Sequence, residues 1–305
     1  MQQSSALSGP LFIAVGENNL RAFSKDGITW INQATGWDWV QLWQICFAAG
    51  RCATVGKFWN DQMCMTTRDG VNWDRHKFEM KPSGTRLESI GAVGGKFIGV
   101  RHMDGGMPHM ITSNDGVKWT DPVPMLTEQH AIRHDAFVRR FAHGNGLTVA
   151  IGDYGMRLVS HDLKSWKAAP HPVPKDTLID LAFGNGAFVG GGLHGLRLRS
   201  TDGLNWTHRT VGEEGEHINS MLFDGRRFVG VGQGATFFSP DGIQWDRVPN
   251  HNAPTTAACG GGAYTGSIWP GKILHSADAI TWNPVHTMPH NVLAINYGVL
   301  GDGVG

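Results

Sequence analysis

Fifteen histidines and twenty-six acidic side chains supply the residue types of metal and acid–base chemistry, so their spacing decides what they do. No HxH, HExxH or EF-hand spacing is present, so no metal site is expected. The chain has no nucleophile motif of the Ser–His–Asp or Cys–His kind and no glycine-rich phosphate loop, so no cofactor is expected either. Glycoside hydrolysis asks for a carboxylate pair at a defined separation. Glutamate is scarce, with Glu213, Glu214 and Glu216 crowded into one loop, and the three tyrosines, Tyr154, Tyr264 and Tyr297, have no glutamate nearby in sequence. The aspartates, in contrast, are regular. Asp26, Asp69, Asp115, Asp162, Asp202, Asp241 and Asp278 each occupy the third place of a seven-residue segment: SKDGITW, TRDGVNW, SNDGVKW, SHDLKSW, STDGLNW, SPDGIQW and SADAITW. A carboxylate built seven times is a structural device. It accepts backbone N–H groups within its own turn, while the following glycine permits positive φ. Leu163 and Ala279 replace that glycine in two copies, and altered turns are expected there.

The elements around these motifs repeat with them. The fifth copy reads as LIDLAF, a GNG turn, AFVGGG, a loop, LRLRS and then the motif with Trp206; the sixth runs INSMLF, RFVGVG and TFFS before Trp245. Short β-branched or alternating runs separated by glycine-rich links are hairpins. A four-stranded meander repeated every ~40 residues buries its faces only against its neighbours, as in a propeller. The two ends complete each other. Residues from Asn291 supply a first strand with nothing after it, and residues from Gly9 supply second and third strands with no first. The expected fold is therefore all-β: a seven-bladed β-propeller of four-stranded blades, with the ring closed by pairing Val292–Ile295 beside Leu11–Val15. Residues 9–305 form one domain, and residues 1–8 are an extension with no role in a blade.

Composition agrees. Gly accounts for 42 of 305 residues without a Gly-X-Y period, which means many tight turns. Twenty-six basic residues balance twenty-six acidic ones, leaving no electrostatic footprint for nucleic acid. The apolar run Leu11–Val15 is far shorter than a membrane span of about 20 residues, so no membrane insertion is expected. No secretion signal follows Met1, and a virion or the cytoplasm is the preferred setting. Cys46, Cys52, Cys64 and Cys259 lack paired CxxC spacing and are expected to behave as small buried hydrophobes.

The repeated segment resembles the Asp-box, or BNR-repeat, of β-propellers, whose pattern is Ser-x-Asp-x-Gly-x-Thr-Trp at the same hairpin. Most copies here lack the residue between Asp and Gly. The resemblance implies the fold from Gly9 to Gly303 and little about function, because the family spans sialidases, assembly factors, receptor ectodomains and phage tail proteins. Sialidases have six blades and an Arg-Ile-Pro run near the N-terminus that this chain lacks.

Strand direction places the Asp-box turns on one face, and the inter-blade connections and second-to-third loops on the other. Aligned first strands put Gln44, Glu88, Asp135, Asp180, Asn219, Thr256 and Asn291 near the channel mouth, with His134, His217 and His290 beside three of them and Arg86 and Arg133 nearby. Trp37, Trp39 and Trp43 crowd the first connection, and Trp59 and Trp269 lie in loops of the same face. Such aromatics suit protein partners or stacked sugars. The expected function is a non-catalytic structural or interaction module of a larger assembly, such as a phage tail, with protein partners contacting Trp37, Trp39, Glu88, His134, Asp135, Asp180, His217 and His290. The alternative is a glycan- or receptor-binding propeller, and a sialidase-like glycosidase ranks behind both.

Overall fold

A computed structural model describes residues 8–36, 39–58, 61–77, 86–103, 107–126, 137–170, 176–250 and 252–301. They form seven four-stranded antiparallel sheets and one 3-10 turn at Asp153–Gly155. Blade 1 is composite. Its inner strand is Val292–Leu300, from the end of the chain, and its other three are Gly9–Gly16, Arg21–Ser24 and Ile31–Ala34. The closing ladder pairs Val292 with Gly16, Ala294 with Val15 and Ile295 with Ala14, and continues to Leu300 opposite Gly9. Inner strands of blades 2 to 7 are Val40–Ala48, Arg86–Val93, Val138–Gly144, Leu178–Gly184, His217–Phe223 and Thr256–Gly260.

Burial follows the radius. Second strands such as Leu147–Gly152 and Ala187–Gly192 are buried at every residue, because a neighbouring blade covers each of their faces. Outer strands such as Thr207–Thr210 are largely exposed. The apolar residues separate into seven clusters, one in each wedge between adjacent blades. The cluster between blades 7 and 1 joins Ile273 and Ala258 to Phe12, Val292 and Ile295, so the closing strand is cemented by side chains as well as by its ladder. Burying a side chain of this size is worth about 1.5–3 kcal/mol.

The inner strands are spaced by a recurrent aromatic. Phe183 lies against Gly144 of the preceding blade, Phe223 against Gly184, Tyr297 against Gly260 and Phe47 against Gly298. A Cβ at Gly144 would fall 2.2 Å from the Phe183 ring, so only glycine admits the ring there.

Candidate functional site

The seven motif turns share one hydrogen-bond pattern. In each, the Ser or Thr hydroxyl donates to the aspartate Oδ1 at 2.9–3.2 Å. The same oxygen accepts the N–H two residues on, as in Asp202 with Leu204 at 2.9 Å. In six copies it also accepts the N–H three residues on. Burial pushes the Asp26 carboxyl up, but the N–H groups of Thr29 and Ile28 and the Ser24 hydroxyl outweigh it and bring it down to about 2. In Asp162 the Ser165 and Lys164 N–H groups lead, again to about 2. These carboxylates are committed to their turns. Leu163 and Ala279 were expected to distort theirs, and they do not. Both adopt the left-handed conformation of the glycines, at φ 63° and 64°, and keep the pattern. The hydrogen bonds within each motif impose the turn, and the two side chains bear the strain of about 1 kcal/mol each.

On the opposite side, ladder register defines one level of the channel wall: Gln44, Ser89, Arg140, Asp180, Ser220, Thr256 and Ala294, from blade 2 round to blade 1. Gln44, Asp180 and Thr256 are therefore level, as the aligned sequence has them. Glu88 and Asn219 are one residue away: each is the extra residue of a β-bulge that blades 2 to 6 all carry, and the aligned sequence sets these two one place early. Asn291 lies outside the channel, donating from Nδ2 to Glu17 Oε2 at 2.8 Å. Asp135, His134, Trp37, Trp59 and Arg133 lie outside the described residues.

Level residues also take an N–H from the inner strand of the next blade. Gln44 Oε1 accepts the Ile90 N–H at 2.8 Å, Asp180 Oδ2 the Met221 N–H at 2.8 Å and Ser220 Oγ the Ala257 N–H at 3.0 Å. Three polar residues of the wall are thus staples between blades. Between them the wall encloses a cavity of about 500 Å³, also lined by Arg140, Asn219, Thr256 and Asn296, with Phe47, Phe141 and Tyr297 toward the side of the motif turns. Burial pushes the Asp180 carboxyl above its usual range, although Arg140, whose Nε lies 3.3 Å away, and the Met221 N–H pull against it. Glu88 lines an adjoining recess of about 190 Å³ with Gln44, Phe137 and Arg139, and Arg139 forms an ion pair with Asp153.

The histidines do not converge. His217 Nδ1 accepts the His194 N–H at 3.1 Å and the two rings meet edge-on at 5.4 Å. His290 Nδ1 lies 3.2 Å from Asn18 Nδ2, in another blade. Among the described residues no three His, Cys, Asp or Glu side chains are grouped to hold a metal ion. Cys46, Cys52, Cys64 and Cys259 are free; the first three are buried, and burial pushes the Cys64 thiol up to about 12.

The connection face carries the exposed aromatics. Trp39 is 73% exposed and Trp269 74% exposed, joined on this face by Phe137, Tyr154 and Leu193. Trp43, in contrast, packs partly buried against the wedge between blades 2 and 3. Trp39 and Trp269 terminate a hydrogen-bonded strip across blades 2, 1 and 7. Val40 O accepts the Asn19 N–H at 2.9 Å, Asn18 meets His290, and Gly271 O accepts the Met288 N–H at 2.8 Å.

One recurrent residue escaped notice in the sequence. Arg21, Arg157 and Arg197 open the third strands of blades 1, 4 and 5, and each guanidinium carbon lies 5.4–5.8 Å from the ring centre of the next blade's motif tryptophan, Trp73, Trp206 or Trp245. Its signal is an arginine three residues before the motif Ser, in RAFS, RLVS and RLRS.

No protein-family model matches the chain, and no curated protein does. Solved structures do match. A functionally unknown protein from Desulfotomaculum acetoxidans superposes with a TM-score of 0.65 at 11% identity, covering 95% of this chain and 98% of that one. YCF48 bound to D1 peptide gives 0.59 at 15%, covering 90% and 92%. YCF48 from Cyanidioschyzon merolae gives 0.57 at 15%, covering 90% and 94%. At such identities the likeness is one of fold alone, and the fold is the seven-bladed β-propeller.

Proposed function

We propose that the protein is a non-catalytic interaction module that holds a protein partner on its connection face. The observation that carries this is the pair Trp39 and Trp269, nearly three-quarters exposed and fixed at the two ends of one hydrogen-bonded strip. Large exposed aromatics on a rigid scaffold are the usual anchors of protein recognition. The face of the motif turns repeats one turn and exposes Ile28, Ile31 and Val299 among large apolar side chains of the described residues, none of them a tryptophan. A propeller neighbour in complex with a peptide is in keeping with this function. So is the WD40 domain of Neurospora crassa Pan2, alike at a TM-score of 0.52 and 11% identity over 69% of this chain and 68% of that one. We read the motif turns as kin to the Asp-box, shortened by one residue. The phage-tail setting expected from the sequence finds no support among these neighbours and is not part of the proposal.

A displayed library of random peptides, selected on the protein, is the direct test. Binders should lose at least tenfold in affinity for Trp39→Ala/Trp269→Ala and none for Ile28→Ala. Binders that map to Ile28, or a glycan array that binds where no peptide does, would overturn the proposal.

A further inference from the structure

The arginines of the blade wedges are not equally provided for, and the difference points to a ligand. In the wedge between blades 5 and 6, Arg197 donates from Nε to Thr210 Oγ1 at 3.0 Å and from Nη2 to Val211 O at 2.9 Å, with its guanidinium carbon 4.1 Å from the centre of the Phe237 ring. One buried carboxylate accompanies it, Glu216, which is paired with Arg247; Glu213 meets Arg247 at the surface. Arg197 is thus satisfied by hydrogen bonds and by the Phe237 ring.

Arg157 occupies the same place between blades 4 and 5. It is 0% exposed, yet none of its three guanidinium nitrogens has a hydrogen-bond partner among the described residues. The nearest carboxylate oxygen, Asp176 Oδ2, is 4.0 Å away. Asp176 is itself engaged by Arg209, through Nε at 3.0 and 3.2 Å and Nη2 at 2.9 Å. Three changes between the repeats account for this. Opposite Arg157 stands Ala169, whose N–H binds the Arg157 carbonyl at 2.9 Å, and Pro170 follows; neither side chain can replace the Thr210 hydroxyl. At the ladder position of Phe237, blade 5 has Leu198, a smaller side chain with no ring to lie against the guanidinium.

A guanidinium does not deprotonate in a protein, and buried donors without acceptors are costly. We propose that a small monovalent anion, chloride under ordinary conditions, is bound in the wedge between blades 4 and 5, where it accepts from Arg157, whose nearest carboxylate among the described residues, Asp176, is given over to Arg209. Water accepts at most two hydrogen bonds and carries no charge, whereas a halide accepts from several donors and carries the charge that Asp176, engaged by Arg209, does not bring to Arg157.

Thermal melting of the full chain in sodium chloride and in sodium gluconate at equal ionic strength is the test. A ligand that binds only the folded state raises its stability by mass action, so chloride should raise the midpoint saturably, by about 1–3 °C for a chain of this size. Arg157→Met should abolish the difference between the salts, whereas Arg197→Met should keep it despite a lower midpoint. Crystals soaked in sodium bromide should show an anomalous peak within hydrogen-bond distance of the Arg157 guanidinium, a readout that needs no variant to fold. Identical midpoints of the wild-type protein in both salts, or an ordered water without anomalous signal at Arg157, would overturn the proposal.

Discussion

Asp180 and Met221 lie in successive blades, and the Asp180 carboxylate accepts the Met221 N–H at 2.8 Å. The other oxygen of Asp180 faces Arg140 of the preceding blade at 3.3 Å, so one side chain ties three blades at the channel wall. Asp180→Ala is expected to lower stability by about 2 kcal/mol, since it strands both partners. Asp180→Asn keeps an acceptor for the N–H and should lose less than half as much. Urea denaturation separates the two; equal losses would mean that the ion pair with Arg140 matters and the staple does not.

Asp202→Ala should cost roughly 1–3 kcal/mol, the scale of hydrogen bonds to a charged acceptor, because the Leu204 and Asn205 N–H groups and the Ser200 hydroxyl lose their partner together. Any peptide binding on the connection face should survive in the folded fraction. Loss of binding with an unchanged melting curve would give this carboxylate a role beyond its turn.

The same bonds set the acid response. All seven motif carboxyls lie below their usual range. A depressed carboxyl contributes stability above its unfolded value near 4, and that stability is lost as pH falls through the folded value. For Asp26 and Asp162 the folded value is about 2. Stability should therefore fall between about pH 4 and pH 2, and Asp26→Asn should flatten the lower part of that fall. Asp180, shifted upward by burial, contributes with the opposite sign, losing stability as pH rises through its folded value. Melting midpoints recorded at half-unit pH steps give the slope directly, and a flat wild-type profile over this interval contradicts the assignment.

Ala279 holds φ 64° in a turn where the other copies mostly have glycine. Ala279→Gly is expected to raise stability by up to about 0.5 kcal/mol, the relief of left-handed strain less the added freedom of the unfolded chain. Gly203→Ala should do the reverse and more, since its new Cβ would lie 2.6 Å from methyl groups of Val149 and Val159. Chemical denaturation of both variants decides the signs.

Removing residues 291–305 deletes the inner strand of blade 1 and exposes the edge of Gly9–Gly16. Most of the folding stability should go with it. A truncated protein that melts at the wild-type temperature would show that the ring does not depend on its closure.

The seven copies of Asp, Gly and Trp made blade number, strand order, turn position and ring closure legible in the sequence, because each depends on local hydrogen bonding and on a period of apolar residues. The turns that the motif aspartates brace were legible for the same reason. The channel level was legible only in part. Gln44, Asp180 and Thr256 align by counting, but Glu88 and Asn219 are one place early, on the bulge residue that Trp43, Arg139 and Ile179 supply in blades 2, 4 and 5. A bulge answers to its partner strand and to the neighbouring blade, and neither is adjacent in sequence. Other features belong to the tertiary structure alone. Only the packed ring brings Asn18 to His290 and sets Trp39 and Trp269 at the ends of one strip. Only the wedge between two blades shows that Arg197 is satisfied by Thr210 and Val211 while Arg157, at the same place in its repeat, is not. The sequence specifies each blade through contacts within about 40 residues, and what a blade presents to its neighbour is decided where two of them meet.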